Sequence, residues 1–205
     1  MLSLSAFENA KMQDDPYRWG TVTESFDSPR TALAVAREFP LAHLRLRTAR
    51  AGAEKEYRML SAPLVDQGRE LPLTRRLTPI WRGLVDELRT PAFTTAVSRA
   101  AGVELADATL EIRASCYTEG CFLGPHTDRS DKLVSLILYL STHWSAADGG
   151  ELSILCSSDP DDEDARVEPH LGTAAVLVRS DRSWHQVLPV RRPVQRRSLL
   201  VHYWA

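Results

Sequence analysis

The 205-residue chain reads as a mainly β protein with N-terminal helices, and three observations carry that expectation. From Ala106 onward, short apolar segments alternate with turn signals, the texture of a β-sandwich or barrel. Before it, Ile80, Leu84, Leu88, Phe93, Val97 and Ala101 recur at helical spacing. No internal repeat or linker interrupts the chain. One domain over 1–205 is therefore expected, with a helical and mixed support over 1–105 and a β core over 106–205.

Taken in order, residues 1–29 show no clear period and are expected to be irregular or short strand. Ser28-Pro29-Arg30 ahead of Thr31–Phe39 predicts a capped helix that stops at Pro40. Residues 41–78 are rich in arginine (Arg45, Arg47, Arg50, Arg58, Arg69, Arg75, Arg76) and predict strands and loops serving as a lid or a docking surface. The helical stretch over 80–101 is expected to split at Thr90-Pro91, with Thr90 as the cap and Pro91 in the first turn of the second helix. Thr109–Tyr117 alternates and predicts a strand. Further strands are expected over 133–140, 151–156, 173–179, 185–190 and 196–204, and the acidic run 159–164 as a solvated loop.

Composition narrows the function classes. Twenty-five basic residues against 27 acidic ones leave a net charge of −2, which gives no nucleic-acid footprint. No apolar run approaches the roughly 20 residues of a membrane span. The first nine residues lack the basic and apolar regions of a signal peptide. Cys116, Cys121 and Cys156 form no CxxC pair, and an odd count suits free thiols, so a cytoplasmic protein is expected.

One stretch carries chemistry. Gly124-Pro125-His126-Thr127-Asp128 places an imidazole and a carboxylate two residues apart, ahead of an apolar run. In extended geometry residues i and i+2 project to one side, so both can converge on one point. That supplies two thirds of a two-histidine, one-carboxylate iron site. Fifty-nine residues on, His185 heads another strand, and eleven further lies Arg196-Arg197-Ser198. Arg196 and Ser198 share a strand face and together can receive a carboxylate.

In this order the motifs resemble the Fe(II)/2-oxoglutarate-dependent dioxygenases, and their prolyl-4-hydroxylase-like branch in particular. Supporting matches are Tyr117 with Gly120, Leu138-Tyr139-Leu140, Trp144 with Asp148-Gly149-Gly150-Glu151-Leu152, and Ser183-Trp184-His185. The resemblance spans roughly residues 108–204. It implies a double-stranded β-helix (jelly-roll) core with Fe(II) at the barrel mouth, and 2-oxoglutarate and O2 as co-substrates. On the matching positions, His126, Asp128 and His185 would ligate iron. Arg196, with Arg197 as the alternative, would pair with the distal carboxylate of 2-oxoglutarate, helped by Ser198 and Tyr117. Leu138 stands where several relatives carry a second co-substrate tyrosine, which implies a more apolar wall. Asp128 is the carboxylate that related halogenases replace with a small residue, so oxygen transfer is implied, with release of succinate and CO2.

Arg113 shares the Tyr117 face of its strand. It is expected either to bind a substrate carboxylate or phosphate, or to pair internally with Glu111 or Glu151. Three readings follow: a hydroxylase of a small polar substrate such as a free or carrier-tethered amino acid, a peptidyl-prolyl hydroxylase, or a non-catalytic metal-binding jelly-roll. His43, His143, His170 and His202 match no motif and are expected to be structural or on the surface.

Overall fold

Every strand ladder in the computed structural model, which describes residues 1–50 and 55–205, is antiparallel. The strands are β1 (Lys11–Gln13), β2 (Trp19–Val22), β3 (Arg45–Ala49), β4 (Tyr57–Asp66), β5 (Arg69–Glu70), β6 (Thr109–Tyr117), β7 (Phe122–His126), β8 (Lys132–Tyr139), β9 (Leu152–Leu155), β10 (Glu163–Val167), β11 (Ala174–Val178), β12 (His185–Val187) and β13 (Arg196–Trp204). They build one curled sheet in the order β1-β2-β11-β8-β13-β6-β4-β7-β12-β9-β10, with β3 and β5 attached to β4. This is the jelly-roll expected from the motifs.

The curl is made at β4. Its stretch from Leu60 to Val65 pairs with β6, while Tyr57 and Arg58 pair with β7. One strand thus joins the broad wall of the barrel to the narrow wall formed by β7, β12, β9 and β10. The register shifts between Pro63 and Val65, where proline removes a ladder donor and the strand can bend.

The N-terminal half therefore does more than support the core, because it supplies five strands, β4 among them. Two of its helices begin at the predicted caps. Helix α1 (Leu4–Glu8) is followed by α2 (Pro29–Arg37), where the Ser28 hydroxyl accepts from Thr31 N. Helix α3 (Pro79–Leu88) ends one turn before α4 (Pro91–Ala101), which Thr90 caps by accepting from Phe93 N. The helix α1 went unread because five residues are too few to show a period. The acidic 159–164 run is a loop only as far as Asp162, since Glu163 already pairs with Leu155. Of the 41–78 segment, residues 51–54 lie outside the described residues.

Period-two alternation sorts side chains between two cores. Leu136, Leu138, Leu199, Val201, Ile112 and Ala114 face the helices and pack with Trp81 and Phe93. Tyr117, Ile137, Tyr139, Leu152, Ile154 and Leu177 face the barrel interior. Trp81 locks α3 to α2: it is fully buried, donates from Nε1 to Val35 O at 2.9 Å, and meets the Phe39 ring edge-on at 5.4 Å. Trp81→Ala is expected to cost about 3–5 kcal/mol by urea denaturation, against about 1 kcal/mol for loss of the Thr90 cap in Thr90→Ala.

Candidate active site

Two histidines are brought together by strand register. On the narrow wall, His126 at the end of β7 is the cross-strand partner of His185 at the start of β12, and their ring centroids lie 4.2 Å apart. His126 Nδ1 donates to Gly124 O at 3.0 Å and His185 Nδ1 donates to Ser183 O at 2.9 Å. Each backbone acceptor fixes the tautomer, so both Nε2 lone pairs are free to ligate. Asp128 lies just beyond β7 in the loop, so convergence comes from the strand end and not from continued strand alternation. One ligand atom each from His126, Asp128 and His185 lie within 4.8 Å of one another, and all three residues are buried.

Electrostatics suit a cation. Burial first, then His185 and Lys55, hold His126 well below the ordinary histidine range, and burial lowers His185 likewise. Both imidazoles are thus neutral, the ligating form. Burial alone would raise the Asp128 carboxyl, but the charge and hydrogen bond of Lys132 help to outweigh it, and the group is held below the usual carboxylate range. Lys132 Nζ donates to Asp128 Oδ1 at 2.9 Å and Ser135 Oγ donates to Oδ2 at 2.8 Å. Two neutral nitrogens and one oriented carboxylate form a donor set that fits Fe(II) with positions left open.

The broad wall carries a buried guanidinium suited to receive an anion. Arg196 is 1% exposed, and its guanidinium carbon sits 4.9 Å from the Tyr117 ring centroid and 5.2 Å from that of Tyr139. Its Nε donates to Gly150 O at 2.5 Å. Gly150 has φ +82°, and a Cβ there would meet Val190 Cγ2 at 2.9 Å and Arg196 Cδ at 3.1 Å. Only glycine allows that clamp. The turn is held in place by Trp144 Nε1 donating to Gly149 O at 2.8 Å. Beside the clamped guanidinium, Arg196 Nη2 and Ser198 Oγ are buried without a hydrogen-bond partner. Donors buried without an acceptor are costly, and a carboxylate satisfies both. Burial pushes the Tyr117 hydroxyl up to about 12, so it stays a proton donor. The receptor and the triad open into the same cavity of about 280 Å³.

Arg197, the alternative, reaches Ala36 O and Gln195 on the opposite face. Arg113 lines the cavity as its strand face requires, and its guanidinium is paired with Glu111 at 2.6 Å. Glu111 Oε2 also accepts from Trp204 Nε1 and faces His202 Nδ1 at 3.4 Å. One expectation is corrected here. Leu138 faces the helices, and Tyr139 is the second tyrosine beside Arg196. A one-residue difference in a strand moves a side chain to the other face. His202 lines the cavity, where it faces Glu111. Lys132 and Ser135 also escaped notice, though each sits at a strand position facing Asp128.

Residues 112–204 match the family model of the 2OG-Fe(II) oxygenase superfamily. The protein is accordingly an Fe(II)- and 2-oxoglutarate-dependent dioxygenase, a class that takes O2 as its other co-substrate. No curated protein matches the sequence. Among solved structures, the chain is similar to a prolyl-4-hydroxylase from Pseudomonas putida, at 22% identity and TM-score 0.60 over 98% of both chains. It is similar to a Trichoplax adhaerens prolyl hydroxylase in complex with a peptide fragment of the hypoxia inducible factor oxygen degradation domain, at 14% identity and TM-score 0.67 over 98% of this chain and 88% of that one. The non-haem alpha-ketoglutarate-dependent epimerase SnoN of nogalamycin biosynthesis aligns at 14% identity and TM-score 0.59, over 98% of this chain and 79% of that one.

Lys132→Met would leave Asp128 buried and unpaired. It is expected to destabilise the metal-free protein by about 3 kcal/mol in urea denaturation. His202, which burial lowers from 6.5 to about 4, binds a proton in the unfolded chain but not the folded one between those values. Stability of the metal-free protein should thus rise with pH across that window, and His202→Gln should give a shallower rise.

Proposed function

We propose that His126, Asp128 and His185 hold the Fe(II), and that Arg196, Ser198 and Tyr117, joined by Tyr139, receive the distal carboxylate of 2-oxoglutarate. The observation that carries this reading is the opening of a neutral-histidine triad and an unsatisfied buried guanidinium into one small cavity. When bound, Fe(II) and 2-oxoglutarate would activate O2, the oxidant, toward an unactivated C–H bond, with release of succinate and CO2. The chain contributes placement. Gly124 and Ser183 orient the imidazoles, Lys132 and Ser135 hold the Asp128 carboxylate, and Gly150 aims Arg196. Ile137, Leu152, Leu177 and Val187 line the cavity and limit water around the reacting groups.

The substrate proposed is a small polar molecule, such as a free or carrier-tethered amino acid. A cavity of about 280 Å³ shared with the co-substrate leaves room for little more. Arg113 is the proposed substrate contact, with Glu111 fixing its guanidinium. A peptidyl-prolyl hydroxylase is the second reading. It is favoured by an outer groove of about 820 Å³ that shares Lys55, Tyr57, Glu111, Arg113 and Trp204 with the cavity. The three free cysteines support a cytoplasmic setting.

Anaerobic titration of the Fe(II)-loaded protein with 2-oxoglutarate should raise a weak visible metal-to-ligand charge-transfer band. His126→Ala should abolish it through loss of metal, and Arg196→Ala should require at least tenfold more co-substrate. A wild-type protein that binds iron but shows no band at millimolar 2-oxoglutarate would overturn the assignment. Succinate release with amino acids against proline-containing peptides then separates the two substrate readings.

A further inference from the structure

The cavity lining contains four cations, Lys55, Arg113, Lys132 and Arg196, and two carboxylates, Glu111 and Asp128. Three of the cations are accounted for. Lys132 is paired with Asp128 and Arg113 with Glu111, and Arg196 is the receptor for the co-substrate. Lys55 alone is left over. It has no hydrogen-bond or ion-pair partner among the described residues.

Its position is as informative as its freedom. Lys55 is half-buried and lies just ahead of β4, on the wall shared by the metal cavity and the outer groove. Its charge is felt by His126, His185 and Lys132, so the ammonium sits within electrostatic reach of the triad. A molecule entering from the groove passes it on the way to the iron. Tyr57 and Trp204 flank the same passage.

Resting on the metal and co-substrate assignment above, we propose that Lys55 anchors an anionic group of the substrate. The substrate is then a carboxylate- or phosphate-bearing small molecule, not a neutral prolyl residue. A cation in a narrowed, low-dielectric mouth attracts an anion far more strongly than it would in open water. A neutral substrate would leave that charge uncompensated beside a loaded iron site. Arg113 lies on the same wall and can share the anion while keeping Glu111, since its guanidinium has donors beyond those Glu111 accepts.

The test uses full-length protein loaded with Mn(II) as a paramagnetic stand-in and with saturating 2-oxoglutarate. Methylphosphonate is followed by 31P relaxation and carboxyl-labelled acetate by 13C relaxation. Wild type should show saturable relaxation enhancement by at least one of the two, and whichever binds tighter identifies the anion. Lys55→Met should weaken that binding about tenfold, and Lys55→Arg should restore it. Equal affinity in wild type and Lys55→Met, or no saturable enhancement by either probe, overturns the anchor. The Fe(II)/2-oxoglutarate charge-transfer band, recorded on the same variants, should be unchanged. If the band is missing in wild type, the cofactor assignment falls and the anchor with it; if it is present while Lys55 makes no difference, only the anchor falls.

Discussion

The cross-strand pairing of His126 with His185 is the constraint on which the rest of the site depends. Two histidines 59 residues apart become neighbours because β7 and β12 place them opposite one another. The ladder hydrogen bonds of two strands, rather than a loop, set their separation. Cross-strand pairs of this kind are the unit of sheet stability, so the histidine pair inherits the rigidity of the barrel wall. The opposite wall repeats the device, with Arg196 across from Tyr117 and Ser198 across from Tyr139. What relates the two walls is β4, whose first residues pair with β7 and whose later ones pair with β6.

Burying so much charge needs compensation, and the arrangement supplies it locally. Asp128 is held by an ammonium and a hydroxyl, one on each oxygen. The Lys132 ammonium in turn lies 4.8 Å from the centroid of the Trp204 ring, a favourable placement for a desolvated cation. Trp204 donates to Glu111, which holds Arg113. The chain of contacts runs from the triad to the mouth of the cavity without an unpaired carboxylate. The depression of Glu111 to about 2 follows: burial opposes it, but hydrogen bonds and charge from His202 and Arg113 prevail. Stability from that carboxylate is present above its unfolded value near 4.5 and is lost as pH falls toward 2.

How legible all this was depended on whether a feature shows itself in residue type or in register. The caps at Ser28 and Thr90 and the triad with its arginine could be read because rare residue types stand at telling spacings. The strands β6 and β13 were readable from end to end by their alternation. By contrast, β8 is apolar on both faces, so nothing in Leu133–Leu140 says which residues point inward. Leu138 was accordingly taken for the inward residue, where the fold places Tyr139. Strands buried on both sides lose the period-two signal. β4 was hidden for another reason, since Pro63 argues against a central strand unless its register shift is known.

The most family-like stretches outside the triad prove to be scaffolding for one guanidinium. Trp144 and the Asp148-Gly149-Gly150 turn touch no reacting group directly. Asp148 caps its own turn through Ser145 N and Oγ, Trp144 ties down the Gly149 carbonyl, and Gly150 then presents its own carbonyl to Arg196. Gly149, at φ +70°, passes so close to Pro189 that a Cβ would meet its carbonyl oxygen at 2.3 Å. A side chain at either glycine would displace the turn and, with it, the direction in which Arg196 points. A buried guanidinium stacked on two tyrosines has few alternative orientations. The direction of the Arg196 guanidinium is therefore set by a backbone turn, and such a turn needs specific residue types even though it does no chemistry. That explains how motifs far from the iron in sequence could signal an iron enzyme.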